Sequence, residues 1–380
     1  MTSPSVVFLD TTPFRKYDYG PAHPLRMVRL HLAQELMRLT GLLDRPEVRV
    51  VAPEPAPLEA VLGFHTRDYV DVLQRVDRGE HPPEAARHGL GWGDNPAFPG
   101  VWEGSVLDVG ATLRAARAVA GGEARVAFNM AGGLHHALPD RASGFCYLND
   151  PVIAIQWLLS QGKRVAYVDV DAHHADGVQW AFYRDPRVLT LSFHETGEAL
   201  FPGSGHLEEL GEGDGFGFSV NVPLPPGTGD EGFLRAFEGV APPLLEGFRP
   251  DVLVTQLGVD TLGSDPLAHL ELTNRGFCRV VAFFRETGLP WVALGGGGYD
   301  VTSVARAWCL ALGVMLGVAL PDSLPPEARL LLRPHGYEAP WLRDPPPRRR
   351  ERKAVLEAVD LAVAFVRERV FPVHGVGECR

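Results

Sequence analysis

Arg164-Val165-Ala166-Tyr167-Val168-Asp169-Val170-Asp171-Ala172-His173-His174-Ala175-Asp176-Gly177 is the stretch on which the reading of this chain turns. It opens as a β-branched apolar run, the pattern of a buried strand, and closes in three acidic residues and two histidines. Asp169, Asp171 and His173 alternate, so an extended backbone points them to one side. Carboxylates and imidazole gathered in one place make a site for a hard-to-borderline divalent cation. An ordinary acidic surface loop is the weaker reading. Three charged groups directly after a buried strand are costly unless a cation meets them.

Working outward, similar apolar runs recur at Val48–Val51, Arg125–Phe128, Val188–Ser192, Asp251–Leu257 and Trp291–Leu294, and all read as buried strands. Between them lie segments with helical spacing. These are Pro24–Leu39, Ser105–Ala120 before Gly121-Gly122, Asn149–Leu159 behind an Asn-Asp-Pro cap, Thr273–Glu286 and Thr302–Leu316. The alternation predicts an α/β fold with an open, mostly parallel sheet covered by helices on both faces. Ligands of such sheets bind beyond the carboxyl ends of the strands. Chemistry-bearing residues are therefore expected just after the strands. Proline-rich stretches at Pro53–Pro57 and Pro345–Pro347 mark surface loops, and Arg348–Arg350 with Arg352 reads as a solvated helix start. No linker interrupts the first 320 residues. The expected organisation is a single domain over 1–380, with 321–380 as a helical extension packed on it.

Three further motifs meet that expectation. In Leu257-Gly258-Val259-Asp260-Thr261-Leu262-Gly263-Ser264-Asp265-Pro266, Asp260 follows a wholly apolar strand. With Asp171 and His173 it supplies three ligands and leaves a coordination position open, the layout of a catalytic rather than a structural metal. Asp265-Pro266 reads as a turn. In Met130-Ala131-Gly132-Gly133-Leu134-His135-His136, two histidines follow a strand and a glycine pair; they suit either metal ligation or proton transfer. Asp169 and Asp176 exceed what a three-ligand site needs, and each can fix the tautomer of one imidazole. Leu294-Gly295-Gly296-Gly297-Gly298-Tyr299 lacks the Lys-Ser/Thr of a phosphate loop and the spacing of a dinucleotide fingerprint. A flexible backbone presenting one tyrosine, whose O–H can donate to a developing oxyanion, fits better.

Composition narrows the classes. Asp and Glu outnumber Lys and Arg by 47 to 36, for a net charge of −11, the wrong balance for gripping nucleic-acid phosphates. Hydrophobic residues at 45% and charged ones at 22% describe a folded globule. Cys146, Cys278, Cys309 and Cys379 form no C-x-x-C pair, which speaks against a disulfide framework and for a reducing compartment. The opening residues MTSPSVVFLD lack the pattern of a secretory signal, and the apolar stretch Trp308–Leu320 is too short to span a bilayer. The expectation is a soluble cytoplasmic protein without a nucleic-acid or membrane partner. Oligomeric state stays open.

The four motifs together resemble the histone deacetylase family, and more closely its bacterial acetoin-utilisation branch. The likeness runs over roughly residues 6 to 320. It includes the connecting text Gly144-Phe145-Cys146-Tyr147-Leu148-Asn149-Asp150, Phe201-Pro202-Gly203-Ser204-Gly205 and Ser219-Val220-Asn221-Val222-Pro223. The resemblance implies the arginase–deacetylase fold around an eight-stranded parallel sheet, and removal of acetyl groups from protein lysines with release of acetate. It implies a catalytic Zn2+, or Fe2+, held by Asp171, His173 and Asp260. It makes His136 the general base and acid with Asp176 behind it, His135 its electrostatic partner backed by Asp169, and Tyr299 the carbonyl-polarising hydroxyl. Gly144, Phe145 and Phe201 then line a narrow lysine tunnel with Leu267 near its mouth. Asp94 resembles the rim carboxylate that holds substrate backbone, and Arg26 a residue on the acetate exit path. Structural K+ ions are implied at Asp169, Asp171, His173, Ser192 and Phe193, and at carbonyls near Phe182, Asp185, Val188 and Phe218. Leu134 stands where many eukaryotic members carry tryptophan, which implies a differently shaped inner pocket. An acyl-CoA synthetase is the protein substrate that the acetoin-utilisation likeness implies.

Three rival readings share parts of this pattern. A binuclear manganese ureohydrolase shares the sheet and a similar metal loop, but two metals call for a second aspartate beside Asp260, and Val259 and Thr261 flank it instead. An acetylpolyamine deacetylase tends to carry an acidic gatekeeper where Leu267 stands. A catalytically dead acyl-lysine reader is expected to have lost a ligand, a histidine or the tyrosine, and all are present.

Overall fold

The computed structural model describes residues 5–91, 93–347 and 350–377. In chain order its elements are β1 (Val6–Leu9), α1 (Val28–Leu39), β2 (Val48–Val51), α2 (Leu58–Val61), α3 (Arg67–Asp77), α4 (Val101–Ala120), β3 (Val126–Asn129), α5 (Asp150–Ser160), β4 (Val165–Asp169), α6 (Asp176–Phe182), β5 (Val188–Glu195), β6 (Ser219–Leu224), α7 (Asp230–Phe248), β7 (Val252–Gln256), α8 (Asn274–Glu286), β8 (Trp291–Leu294), α9 (Val301–Leu316), α10 (Pro326–Leu332) and α11 (Lys353–Arg369). The strands form one sheet in the order β2-β1-β3-β8-β7-β4-β5-β6, and every pairing is parallel.

Strands β1, β3, β4, β7 and β8 are buried along their whole length. They read as continuous apolar runs because helices cover them above and below. One helical layer runs α1–α9–α8–α7–α11 by successive contacts, the other α3–α4–α5–α6. Local signals set several helix starts. The Asn149 side chain accepts from the amide of Val152, Thr273 caps α8 and Asp300 caps α9.

Two expectations need correction. Val48–Val51 is not a buried strand: β2 lies at the sheet edge, its only strand partner among the described residues is β1, and its residues are half-buried or exposed. Of the basic run, Arg348 and Arg349 lie outside the described residues, as does Cys379. The helix itself begins at Lys353, with Arg352 reaching the carbonyl of Pro226. Helix α11 buries Val355, Val359, Ala362, Val363 and Val366 against α7 and β6.

The register places the site. Asn129 pairs with Leu294, Leu294 with Gln256, and Gln256 with Asp169. The last residues of the four central strands thus stand in one row, and each chemical motif leaves the sheet from that row.

Candidate metal centre and active site

Asp171, His173 and Asp260 converge just above the row, with one ligand atom from each lying within 4.8 Å of the others. The Nδ1 of His173 is 3.1 Å from Asp171 Oδ1 and 3.0 Å from Asp260 Oδ2. Each carboxylate spends its other oxygen on an anchor. Asp171 Oδ2 accepts from the Gln256 amide at 2.6 Å and from Gly297 N at 2.7 Å, while Asp260 Oδ1 accepts from Ala172 N at 2.7 Å. Two oxygens and one imidazole nitrogen are left aimed at a common point. A single Nδ1–H cannot satisfy both carboxylates. Burial and the neighbouring Asp171 push the Asp260 carboxyl up to about 8. Burial also opposes ionisation of Asp171, yet His135 and His173 hold it well below the usual range. Two carboxylates and one nitrogen, buried and short of positive charge, fit a divalent cation of the zinc type.

Glycine makes this closeness possible. A Cβ on Gly258 would collide with the Asp171 carboxylate, and one on Gly297 with that of Asp260.

Beside the cluster stand two relays. His135 Nδ1 donates to Asp169 Oδ2 at 2.7 Å, His136 Nδ1 donates to Asp176 Oδ1 at 2.6 Å, and the two Nε2 atoms are 3.0 Å apart. One proton must lie between those nitrogens, and electrostatics decides its owner. Burial would strip His135 of it, but Asp169 and Asp171 outweigh that and raise its pKa to about 9. Burial and the positive His135 push His136 down to about 4, against the pull of Asp176. At neutral pH His135 is therefore the cation and His136 the neutral acceptor.

The loop carrying both histidines is held from below by Asn149 and Asp150. Asn149 Nδ2 donates to the carbonyls of His135 and Ala137, and the Asp150 carboxylate accepts from the amides of Gly133 and Leu134 and from Thr112 Oγ1.

Tyr299 follows β8 and makes no side-chain hydrogen bond to the described residues, so its hydroxyl is available. Burial, with Asp260 and Asp171 near, raises its pKa well above 10 and keeps it a donor. Phe145 packs edge-on to Tyr299 at 5.6 Å, and Phe201 edge-on to His136 at 5.1 Å. Gly144 lies between these walls: a Cβ there would sit 2.8 Å from the Phe201 ring. Leu267 is half-buried, its amide held by Asp265. Asp94 is exposed, its carboxylate without a hydrogen-bond partner among the described residues, and its carbonyl accepts from His23, which packs against Phe145. Ser192 lies directly opposite Asp169 in the β4–β5 register, next to Phe193, while Phe182, Asp185, Val188 and Phe218 gather around the α6–β5 turn.

Arg26 does not reach this interior. Its side chain is exposed, and the arginine that lines both the site cavity and a second cavity behind it is Arg29, 2% exposed. Helical spacing held the clue, since Arg29 shares a buried helix face with Leu32, Ala33 and Leu36. Gln256 went unread as well, although a glutamine ending an apolar strand is a polar group that must find a partner. Asp265, read as a plain turn residue, accepts from the backbone amide of Tyr299 at 2.8 Å.

The profile of the histone deacetylase domain matches residues 23–315. Acetoin utilization protein AcuC of Bacillus subtilis is 40% identical over 329 residues, covering 84% of each chain. Histone deacetylase RPD3 of Saccharomyces cerevisiae is 39% identical over 330 residues, covering 84% of this chain and 75% of that one. The crystal structure of an HDAC homologue from Aquifex aeolicus superposes with a TM-score of 0.86 at 37% identity, over 94% of this chain and all of the other. The matched span contains all four motifs together with the strands and turns that carry them, and on these grounds the chain belongs to the histone deacetylase family.

Proposed function

We propose that this chain hydrolyses acetyl-lysine in proteins or peptides, using one zinc ion held by Asp171, His173 and Asp260, with ferrous iron as the alternative metal. The observation that carries the reading is a carboxylate-oriented His136 beside a three-ligand cluster, with a tyrosine hydroxyl unengaged among the described residues. Bound there, the metal supplies Lewis-acid polarisation of the acyl carbonyl and lowers the pKa of water.

The protein's own groups do the rest. Phe145 and Phe201 flank the lysine stem, whose methylenes gain about 0.8 kcal/mol each on burial. Asp94 accepts from substrate backbone at the rim. His136 Nε2 takes the proton of the attacking water, while His135 and Asp169 keep the pair oriented. Tyr299 donates its O–H to the carbonyl oxygen as negative charge develops there. The histidine pair then protonates the departing amine, leaving free lysine and acetate. Two K+ sites, at Asp169, Asp171, His173, Ser192 and Phe193 and at the carbonyls near Phe182, Asp185, Val188 and Phe218, belong to the same reading. So do a cytoplasmic setting and an acyl-CoA synthetase as substrate.

Leu267 at the rim supports peptide over polyamine substrates. Gly258, where any side chain meets Asp171, leaves no room for the extra carboxylate a two-metal centre needs. The test is one turnover screen over acetyl-lysine peptides, acetylspermidine and guanidino compounds, with bound metal quantified on the same sample. Acetate release from the peptide with one metal per chain is expected. Urea release with two metals per chain would sink the proposal.

Asp265 enters this reading as a positioning residue. Its carboxylate ties the amide of Tyr299 to that of Leu267, 2.9 Å away on its other oxygen, and burial pushes its pKa up to about 6. Asp265→Ala is expected to lower kcat about 10- to 100-fold through a misplaced hydroxyl, with KM nearly unchanged. Asp265→Asn, which keeps one acceptor, recovers part of the loss. Steady-state kinetics on both variants checks this, and an effect confined to KM contradicts it.

A further inference from the structure

Three polar side chains near the site have no part in the chemistry above: His174 at 1% exposure, His194 at 0% and the half-buried Glu209. All three hold the turn that follows Phe201. His174 Nδ1 lies 2.9 Å from Ser204 Oγ, and His194 Nε2 donates to the carbonyl of Gly205 at 3.0 Å. The Glu209 carboxylate accepts from the amides of Gly205 and His206 at 3.1 and 3.0 Å. The turn fits this closely because residue 205 is a glycine with φ +85°: a Cβ there would collide with both imidazoles.

One glutamine of α6 closes these anchors into a circuit. Gln179 places one side-chain atom 2.6 Å from Glu209 Oε2. Its other atom lies 2.9 Å from Ser219 Oγ, 2.7 Å from Asn221 Nδ2 and 3.2 Å from His174 Nε2. A carboxylate can only accept, so the atom facing Glu209 is the amide nitrogen and the other is the oxygen. Every bond then has one direction. Ser219, Asn221 and the Nε2–H of His174 donate to the Gln179 oxygen. Burial lowers the pKa of His174 and keeps a second proton off the ring, so its Nδ1 accepts from the Ser204 hydroxyl. The chain runs from Ser204 through His174 and Gln179 to Glu209, and Glu209 returns it to the turn at Gly205 and His206. His174 also directly follows His173 in the loop of the metal cluster. The circuit therefore joins the turn behind Phe201 to that loop.

We propose that Gln179 and Glu209 are positioning residues that fix Phe201 as a wall of the lysine tunnel, by holding the turn behind it to the loop of the metal cluster. The inference rests on the deacetylase reading above. Neither side chain hydrogen-bonds to Asp171, His173, Asp260 or His136, so the pair acts on substrate binding rather than on the chemical step.

The fixed directions allow an exchange test with side chains of equal size. Glu209→Gln leaves one acceptor oxygen where the turn amides and Gln179 use two. Gln179→Glu sets a second carboxylate against Glu209 at the 2.6 Å contact. The double exchange Gln179→Glu with Glu209→Gln restores every donor–acceptor pair, with the bond between the two residues reversed. Kinetics are measured on the metal-loaded enzyme with one acetyl-lysine peptide. Each single variant is expected to raise KM about tenfold, the scale of one lost buried hydrogen bond, while kcat stays within about threefold. The double is expected to return KM to within about threefold of wild type, which a general packing defect would not do. Bound metal stays at one per chain throughout. Hydrogen exchange at the Gly205 and His206 amides reads the circuit without turnover, and is expected to be faster in both singles and near wild type in the double. A double variant no better than the singles, or losses that fall on kcat or metal content with KM unmoved, overturns this inference and leaves the deacetylase reading standing. A wild type that turns over no acetyl-lysine peptide overturns both.

Discussion

Asp260→Asn is expected to release the metal and to lower acetyl-lysine turnover by about 10³-fold or more, the scale set by a loss of several kcal/mol of Lewis-acid stabilisation. Asparagine is close in size and can still accept from Ala172 N through its amide oxygen, so the local backbone has reason to hold. What disappears is the second carboxylate oxygen at the convergence point. Gln256→Ala makes the graded comparison. It removes the 2.6 Å bond to Asp171 Oδ2 without removing a ligand. Its expected cost is about 10- to 100-fold in metal affinity, the usual range for a group that orients a ligand. Dialysed samples assayed for bound metal and for kcat/KM separate the two cases. Thermal unfolding adds a third readout. A metal bound at Asp171, His173 and Asp260 would stabilise the wild-type fold by mass action and would relieve the repulsion between two buried carboxylates. Added zinc is therefore expected to raise the wild-type Tm and to leave that of Asp260→Asn nearly unmoved. An Asp260→Asn protein that keeps one metal per chain at wild-type rates would place the centre elsewhere.

Much of this arrangement was legible before any coordinates, for a definable reason. A parallel sheet buries its strands completely, so β4, β7 and β8 announce themselves as apolar runs, and polar residues just past their ends have nowhere to go but the ligand-binding edge. Asp171, His173, Asp260, His135, His136 and Tyr299 were found that way. Most of what escaped the reading lacks that contrast. β6 carries Asn221 and Pro223 and shows no clean run, whereas β1, Val6–Leu9, is as apolar as β8 and its omission has no physical reason. Helix α7 continues through Pro242 and Pro243, residues that normally end a helix. β2 is valine-rich but carries Arg49 within it and lies at the edge, because burial at that position depends on which strands flank it. Arg26 precedes α1, which begins at Val28 and not at Pro24, so it lies exposed in the entering loop, while Arg29 sits on the buried face of the first helical turn. Gln256 meets Asp171, and Asp265 meets Tyr299, across long stretches of sequence, which spacing alone does not reveal.

His136→Ala is expected to keep one metal per chain and lose about 10²- to 10⁴-fold in kcat, the range that general acid–base catalysis contributes. None of the three ligand atoms belongs to His136, so metal content and turnover should separate in this variant, whereas they fall together in Asp260→Asn. The pH profile carries the finer argument. His136 can accept a proton only while neutral, and its pKa lies near 4, so activity is lost as the pH falls through that region. His135 stays protonated until about 9, and above that the pair loses the cation that orients it and backs proton return to the amine. A broad plateau between the two limbs follows, with apparent values that belong to the pair because the Nε2 atoms are only 3.0 Å apart. His135→Ala removes the alkaline limb assigned to that cation. It also frees His136 from a positive neighbour, so the acid limb moves up toward the ordinary histidine value. Replacing Asp176 by asparagine acts in the opposite sense, because the carboxylate that favours protonation of His136 is gone and the acid limb moves down. An acid limb that shifts in the same direction in both variants, or a His136→Ala enzyme with near-wild-type rates on an acetyl-lysine peptide, would show that the proton moves through some other group.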